Sequence, residues 1–199
     1  HIDSIYIGGG TPSLVDPFYI DTLLRVIKSD IYVTKNAEIT IEVNPGTVDI
    51  DKLEKYVSSG INRISIGVQS TQDRLLRSLG RIHNASDCEE TFKMAKEAGF
   101  RNISCDLILG IPQIKNEPGQ TFEELCEDVE NVLKWGARHI SVYSIIIEEG
   151  TPLCELFERK KAFEIDDDLE RKMYRAVSSL AKEYYFDFEC EDNKDIKYY

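Results

Sequence analysis

Short runs dense in β-branched and aromatic residues alternate along this chain with longer stretches whose apolar positions recur at helical spacing. Such alternation marks consecutive βα units, because a strand repeats its faces every second residue and a helix every 3.6 or so. The run SIYIGGG from Ser4 predicts the first strand, and Ile20, Leu23, Leu24 and Ile27 predict a helix after it with those four residues inward. AEITIEV, Ala37 to Val43, predicts the second strand, followed by a helix that buries Ile50, Leu53 and Val57. INRISIGV from Ile61 predicts the third, then a helix through Leu75, Leu76 and Leu79.

A further helix is expected before the next strand, since Ser86 and Glu89 have capping-box spacing and Thr91, Phe92, Ala95 and Ala98 continue an apolar stripe. RNISCDLILG predicts the fourth strand. Thr121 and Glu124 repeat the capping signature ahead of Leu125, Val129, Val132 and Leu133, and ARHISVYSIII from Ala137 predicts the fifth strand. A last helix is expected from about Asp168 with Leu169, Met173, Val177 and Leu180 inward, and the polar tail from Phe186 has no assignable element. The division expected is a βα core over residues 1–152 and a carboxyl-terminal helix with an irregular tail over residues 153–199. Five strands joined by helices fit either an open doubly wound sheet or part of a βα barrel, and both place ligands at the carboxyl ends of the strands.

Composition narrows the function. A net charge of −12 lacks the clustered Lys and Arg that phosphate neutralisation needs, so nucleic acid is not an expected partner. No apolar run approaches the roughly 18 to 20 residues of a membrane helix, and the amino end lacks a signal-peptide pattern, so a cytoplasmic protein is expected; contact with a membrane surface stays open. The five cysteines are odd in number and irregularly spaced, which suggests neither a disulfide framework nor a zinc knuckle. A chain that opens on His1 and enters a strand at once is expected to be a piece of a longer one.

The chemistry-bearing residues fall at strand ends. Gly8, Gly9, Gly10 and Thr11 close the first strand, where bare backbone amides admit a close polar ligand; a tight turn into a helix is the plainer reading. Glu42 near the end of the second strand, Gln69 ending the third and Asp106 within the fourth all have apolar neighbours on both sides. A buried polar group without a partner costs about 1 to 3 kcal/mol, and a polar ligand at this edge would supply the partner for all three. Arg81, in LGRIH, is a cation available to Asp106 or to a ligand carboxylate. A plain NAD-type module on the GGGTP turn is disfavoured, because no G-x-G-x-x-G with its acidic partner is present.

The ordered set YIGGGTPSL, AEITIEVNPGT, NRISIGVQS, LGRIH, DLILGIP and SVYSIIIEEGTP resembles the radical S-adenosylmethionine (SAM) proteins of the oxygen-independent coproporphyrinogen oxidase family, from Ser4 to about Pro152. NPGT and LGRIH point to its haem-chaperone branch, and GIPQIKNEPGQTF carries an insertion between Pro112 and Gly119. The resemblance implies an α/β fold, a partial (βα)6 TIM-like barrel of parallel strands, here without its first strand and the C-x-x-x-C-x-x-C loop that would bind a [4Fe–4S] cluster. It implies that Gly9, Gly10 and Thr11 hold the methionine amino end of SAM, that Glu42, Gln69, Arg81 and Asp106 contact SAM or a second SAM, and that the Ile146 backbone lies near the adenine.

In the full-length form the family would bind SAM and the cluster and work in porphyrin or haem metabolism. One branch delivers haem to a recipient protein, and the other removes hydrogen from coproporphyrinogen III propionates. No metal ligands are expected within these residues, catalytic residues are unassigned, and the chain itself is expected to be inactive. Its branch's His-Asn-x-x-Tyr motif is not found, Asn193 being preceded by Asp192, so haem is an implied partner without an assigned site. A non-catalytic interaction domain on the same scaffold is the remaining rival.

Overall fold

The computed structural model describes residues 1–183; the tail from Phe186, with Cys190, lies outside the described residues. A five-stranded sheet has the order β1 (Ile2–Ile7), β2 (Val33–Val43), β3 (Arg63–Gln69), β4 (Asn102–Leu109), β6 (His139–Ser144). β1 pairs with β2 in parallel, Ile7 opposite Ile41, and β2 with β3 in parallel, Ile41 opposite Ile64. β2 starts at Val33, earlier than its apolar run predicts, because pairing with Ile2 of β1 extends it.

Contacts divide the chain into two compact units. The first comprises His1–Val68, Ala85–Asp106 and Trp135–Ile140. Its sheet is two-sided. Ile39, Ile41, Val43, Ile64, Ile66 and Ile103 are almost wholly buried on one side, where each contributes about 1.5 to 3 kcal/mol. Helices α1 (Pro17–Asp30), α2 (Ile50–Ser58) and α4 (Ala85–Glu97) complete this unit, α1 packing on α2 and α2 on α4. Asp16 caps α1 by accepting from the Phe18 N–H, and Asp49 caps α2 by accepting from the Lys52 N–H. Two sequence expectations fail here. Leu23 is exposed, since α1 buries Pro17, Ile20 and Leu24 and leaves Phe18, Tyr19, Leu23 and Val26 outward. Ser86 is not a cap, because α4 already begins at Ala85.

The second unit comprises Gln69–Asn84, Leu107–Lys134 and the chain from Ser141. It holds α3 (Asp73–Ser78), β5 (Gln113–Ile114), α5 (Phe122–Trp135), α6 (Pro152–Glu158), β7 (Ala162–Phe163) and α7 (Asp167–Glu183). Leu75, Ile108 and Ile111 form a core cluster against which Leu79, Tyr143 and Ile145 pack. The capping box ahead of α5 is reciprocal: the Glu124 N–H donates to Thr121 Oγ1 at 3.2 Å and the Thr121 N–H to Glu124 Oε2 at 2.9 Å. α6 and β7 are elements the periodicity does not predict, being too short to show a period. The segment after Pro112 forms β5, which pairs antiparallel with β7 through Gln113–Phe163 and Ile114–Ala162. Arg74 secures its far end, donating to the carbonyls of Pro118 at 2.7 Å and Gly119 at 3.2 Å.

Candidate functional site

In the first unit, the polar side of the sheet is ordered in rows. Parallel register puts Glu42 opposite Ser65, and Ser65 Oγ donates to both oxygens of Asp106 at 3.4 Å, so two predicted carboxylates flank one hydroxyl across β2, β3 and β4. Nearer the amino ends, Arg63 bonds Glu38 at 3.0 Å and Ser104 at 2.7 Å, and Ser104 Oγ lies 3.3 Å from His139 Nδ1. Burial and the adjacent Arg63 guanidinium lower the His139 pKa, favouring the neutral imidazole. Arg63 is ion-paired with Glu38 at 3.0 Å.

Glu42 is held from two directions. The Tyr6 hydroxyl donates to Oε1 at 2.9 Å and the Gly9 N–H donates to Oε2 at 3.0 Å. A Cβ on Gly8 would stand 2.8 Å from the Tyr6 ring and 2.9 Å from the Glu42 carboxyl carbon, so any larger residue there would have to displace those side chains. Gly9 (φ 85°) and Gly10 (φ 61°) turn left-handed beside it, with open space where their side chains would be. Thr11 follows, its Oγ1 accepting from Asn44 Nδ2 at 3.4 Å. Partial burial and the Glu42 carboxylate raise the Tyr6 pKa, keeping the phenol a donor. The structure therefore brings Gly9, Glu42 and Asp106 onto one face, with Gly10 and Thr11 continuing its turn.

In the second unit, Gln69 ends β3 with φ 70°, a left-handed backbone that costs a non-glycine residue about 1 to 2 kcal/mol. Its Oε1 accepts from the Tyr143 hydroxyl at 3.0 Å. Arg81 follows Gly80 (φ 71°) after α3, and its guanidinium makes no hydrogen bond or ion pair among the described residues. Ile146 lies just beyond β6 and is exposed.

Three contributors escape sequence reasoning: Tyr6, Tyr143 and Asp128. Asp128 sits on α5 among Glu123, Glu124, Glu127 and Glu130 and reads as one more solvated acid, yet it is wholly buried. The available signal is its phase, since positions 125, 128, 129 and 132 form one inward stripe.

These features suit a polar ligand carrying an ammonium group or hydroxyls. Carboxylates accept from such donors, and the glycine turn lets the ligand approach backbone groups. They do not suit an iron–sulfur cluster. Cys88, Cys105, Cys126 and Cys154 lie on four different helices and strands, and no three His, Cys, Asp or Glu side chains among the described residues are grouped to hold a metal ion. No described helix is long and apolar enough to cross a membrane.

Known proteins resemble this chain in sequence and in fold. A family model described as the Radical SAM superfamily matches residues 1–129. The chain belongs to that superfamily. The heme chaperone HemW of Haemophilus influenzae is 43% identical to this radical SAM chain over 150 residues, covering 75% of it and 38% of the relative. HemW of Escherichia coli is 38% identical over 167 residues, covering 84% and 42%. The chain thus spans about two fifths of these relatives' length. The solved structure of Escherichia coli coproporphyrinogen III oxidase (HemN), a radical SAM enzyme, matches with a TM-score of 0.77 at 24% identity over 92% of this chain and 41% of that one. That likeness speaks to the fold, a partial radical SAM barrel of the TIM-like kind.

Proposed function

We propose that the protein carrying this chain is a haem-chaperone-like radical SAM protein that binds SAM along the carboxyl ends of its strands. The observation that carries the SAM reading is the clamped Glu42 carboxylate beside a left-handed glycine turn, where a side chain on Gly8 would push that carboxylate aside. Gly9, Gly10 and Thr11 would receive the methionine amino end; Glu42, Gln69, Arg81 and Asp106 would contact the remainder, and the Ile146 backbone would lie by the adenine. SAM, when bound, supplies the adenosyl group that gives the superfamily its chemistry. This chain's residues bind and orient it: Glu42 as a fixed acceptor, Asp106 as a second, and Arg81 as a cation.

The haem reading is supported by 43% identity to a protein named as a heme chaperone. Haem, a recipient protein, a [4Fe–4S] cluster in the full-length form and a cytoplasmic setting belong to the same proposal. The test uses that full-length form with its cluster reconstituted. Calorimetric titration should show Glu42→Gln weakening SAM tenfold to a hundredfold, equivalent to about 1.5 to 3 kcal/mol for a lost charged acceptor; unchanged affinity removes Glu42 from the site. Haem should shift its absorbance on binding, whereas coproporphyrinogen III with SAM should yield no vinyl product. Turnover of coproporphyrinogen III would instead favour the dehydrogenase branch.

A further inference from the structure

One buried carboxylate in the second unit organises two successive strand ends. Asp128 accepts four hydrogen bonds: from Ser70 Oγ at 2.9 Å, the Thr71 N–H at 2.7 Å, Thr71 Oγ1 at 2.7 Å and Gln120 Nε2 at 3.2 Å. Ser70 and Thr71 immediately follow Gln69, whose left-handed backbone persists only where its surroundings over-determine it. Gln69 thus stands between the end of β3 and two residues fixed by Asp128. Gln120 carries the link onward, its Oε1 accepting from the Gly110 N–H at 2.8 Å and the Ile111 N–H at 3.4 Å, just past the end of β4. Its Nε2 also donates to the Ile108 carbonyl at 3.3 Å. Ser70, Gln120 and Asp128 are each at most 2% exposed, so no water competes for these bonds.

The consequence falls on the Gln69 side chain. With Oε1 taken by the Tyr143 hydroxyl, the amide nitrogen is the remaining end, and it has no hydrogen-bond partner among the described residues. A donor so placed is ready for a ligand acceptor provided its backbone stays fixed. A leucine in place of Asp128 would leave Ser70, Thr71 and Gln120 without their common acceptor.

We propose that Asp128, acting with Gln120, is a positioning residue for ligand binding: it holds the Gln69–Thr71 and Gly110–Ile111 segments so that the Gln69 amide is presented to SAM. This rests on the SAM reading above.

The test uses the full-length protein with its cluster reconstituted, comparing Asp128→Ala, Thr71→Val, Thr71→Ser and Gln69→Ala. Without ligand, amide hydrogen exchange at Ser70, Thr71, Gly110 and Ile111 should quicken at least tenfold in Asp128→Ala, while α4 keeps its protection. SAM affinity should fall on the order of tenfold in Asp128→Ala, less in Thr71→Val, and return to the wild-type value in Thr71→Ser, which restores the hydroxyl. Adding Asp128→Ala to Gln69→Ala should cost nothing more, because both act through one side chain. Unchanged exchange, or an additive double variant, overturns the positioning role. If Asp128→Ala fails to fold, the Thr71 pair decides alone: equal SAM affinity for Thr71→Val and Thr71→Ser overturns it. Unchanged SAM binding in both Glu42→Gln and Gln69→Ala instead overturns the SAM reading beneath the proposal, and the exchange result distinguishes the two failures.

Discussion

The Tyr6 hydroxyl reaches Glu42 at 2.9 Å from 36 positions away in the chain, and this bond joins β1 to β2 on the polar side of the sheet. Parallel register sets Tyr6 opposite Thr40, so the phenol leans along the strand to reach the next residue of the same face. Partial burial, then the Glu42 bond and charge, keep the phenol protonated above its ordinary range. Ultraviolet difference titration of wild type against Tyr6→Phe should therefore show a tyrosine ionising later than exposed ones, and Glu42→Gln should move that step to lower pH. An unmoved step would mean that Glu42 does not govern it.

Gly8→Ala should damage the site more than the fold. The new methyl would meet the Tyr6 ring and the Glu42 carboxyl group within 3 Å, so both must shift. Overpacking of this kind costs about 1 to 3 kcal/mol. The expected outcome in the full-length protein is a modest fall in Tm with about a tenfold loss of SAM affinity, read by calorimetry of both kinds. Wild-type values for both would show that the turn has slack.

Asp128 makes stability depend on pH in a definite direction. Burial lifts its pKa from 3.8 to about 6 despite the four donors. The folded protein then holds this proton more tightly than the unfolded chain, so the contribution is full below about pH 4 and is lost as pH rises through 6. A rise of that size corresponds to about 3 kcal/mol. Between pH 4 and pH 7, urea unfolding of wild type should lose roughly that much relative to Asp128→Asn, whose side chain does not titrate. Parallel pH profiles would show that the carboxylate is ionised at all these pH values.

Anaerobic reconstitution of the 199-residue chain should leave it without stoichiometric cluster. Cluster assembly needs neighbouring thiolates, the described cysteines are dispersed, and burial holds the Cys105 thiol protonated. Iron and sulfide analysis near the full cluster content would reveal a ligand set that these elements do not suggest.

The strands and most helices were legible because each carries its burial in its period. Ile41 and Val43 flank Glu42 as alternation demands, and Met173 and Val177 of α7 repeat at helical spacing and are buried. Glu42 and Asp106 stood out because a charge between apolar neighbours on a strand needs a reason. Leu23 did not follow the rule, since a stripe indicates which residues can face inward and not where the neighbouring layer stops. The partners of the candidate site were harder to see. Tyr6 and Tyr143 act through bonds spanning 36 and 74 positions, and no local pattern encodes such a pairing.

The ribbon formed by β5 and β7 has a consequence for the order of folding. Two residues a side are too few to hold themselves together, and the segments between them include α5, β6 and α6. Closing so wide a loop costs chain entropy that two pairs of residues do not repay, so the ladder can form only after the intervening elements have brought its ends within reach. The Gln113–Pro118 segment is thus expected to add its contacts late on the folding path, so that changes within it alter how fast the second unit comes apart more than how fast it assembles.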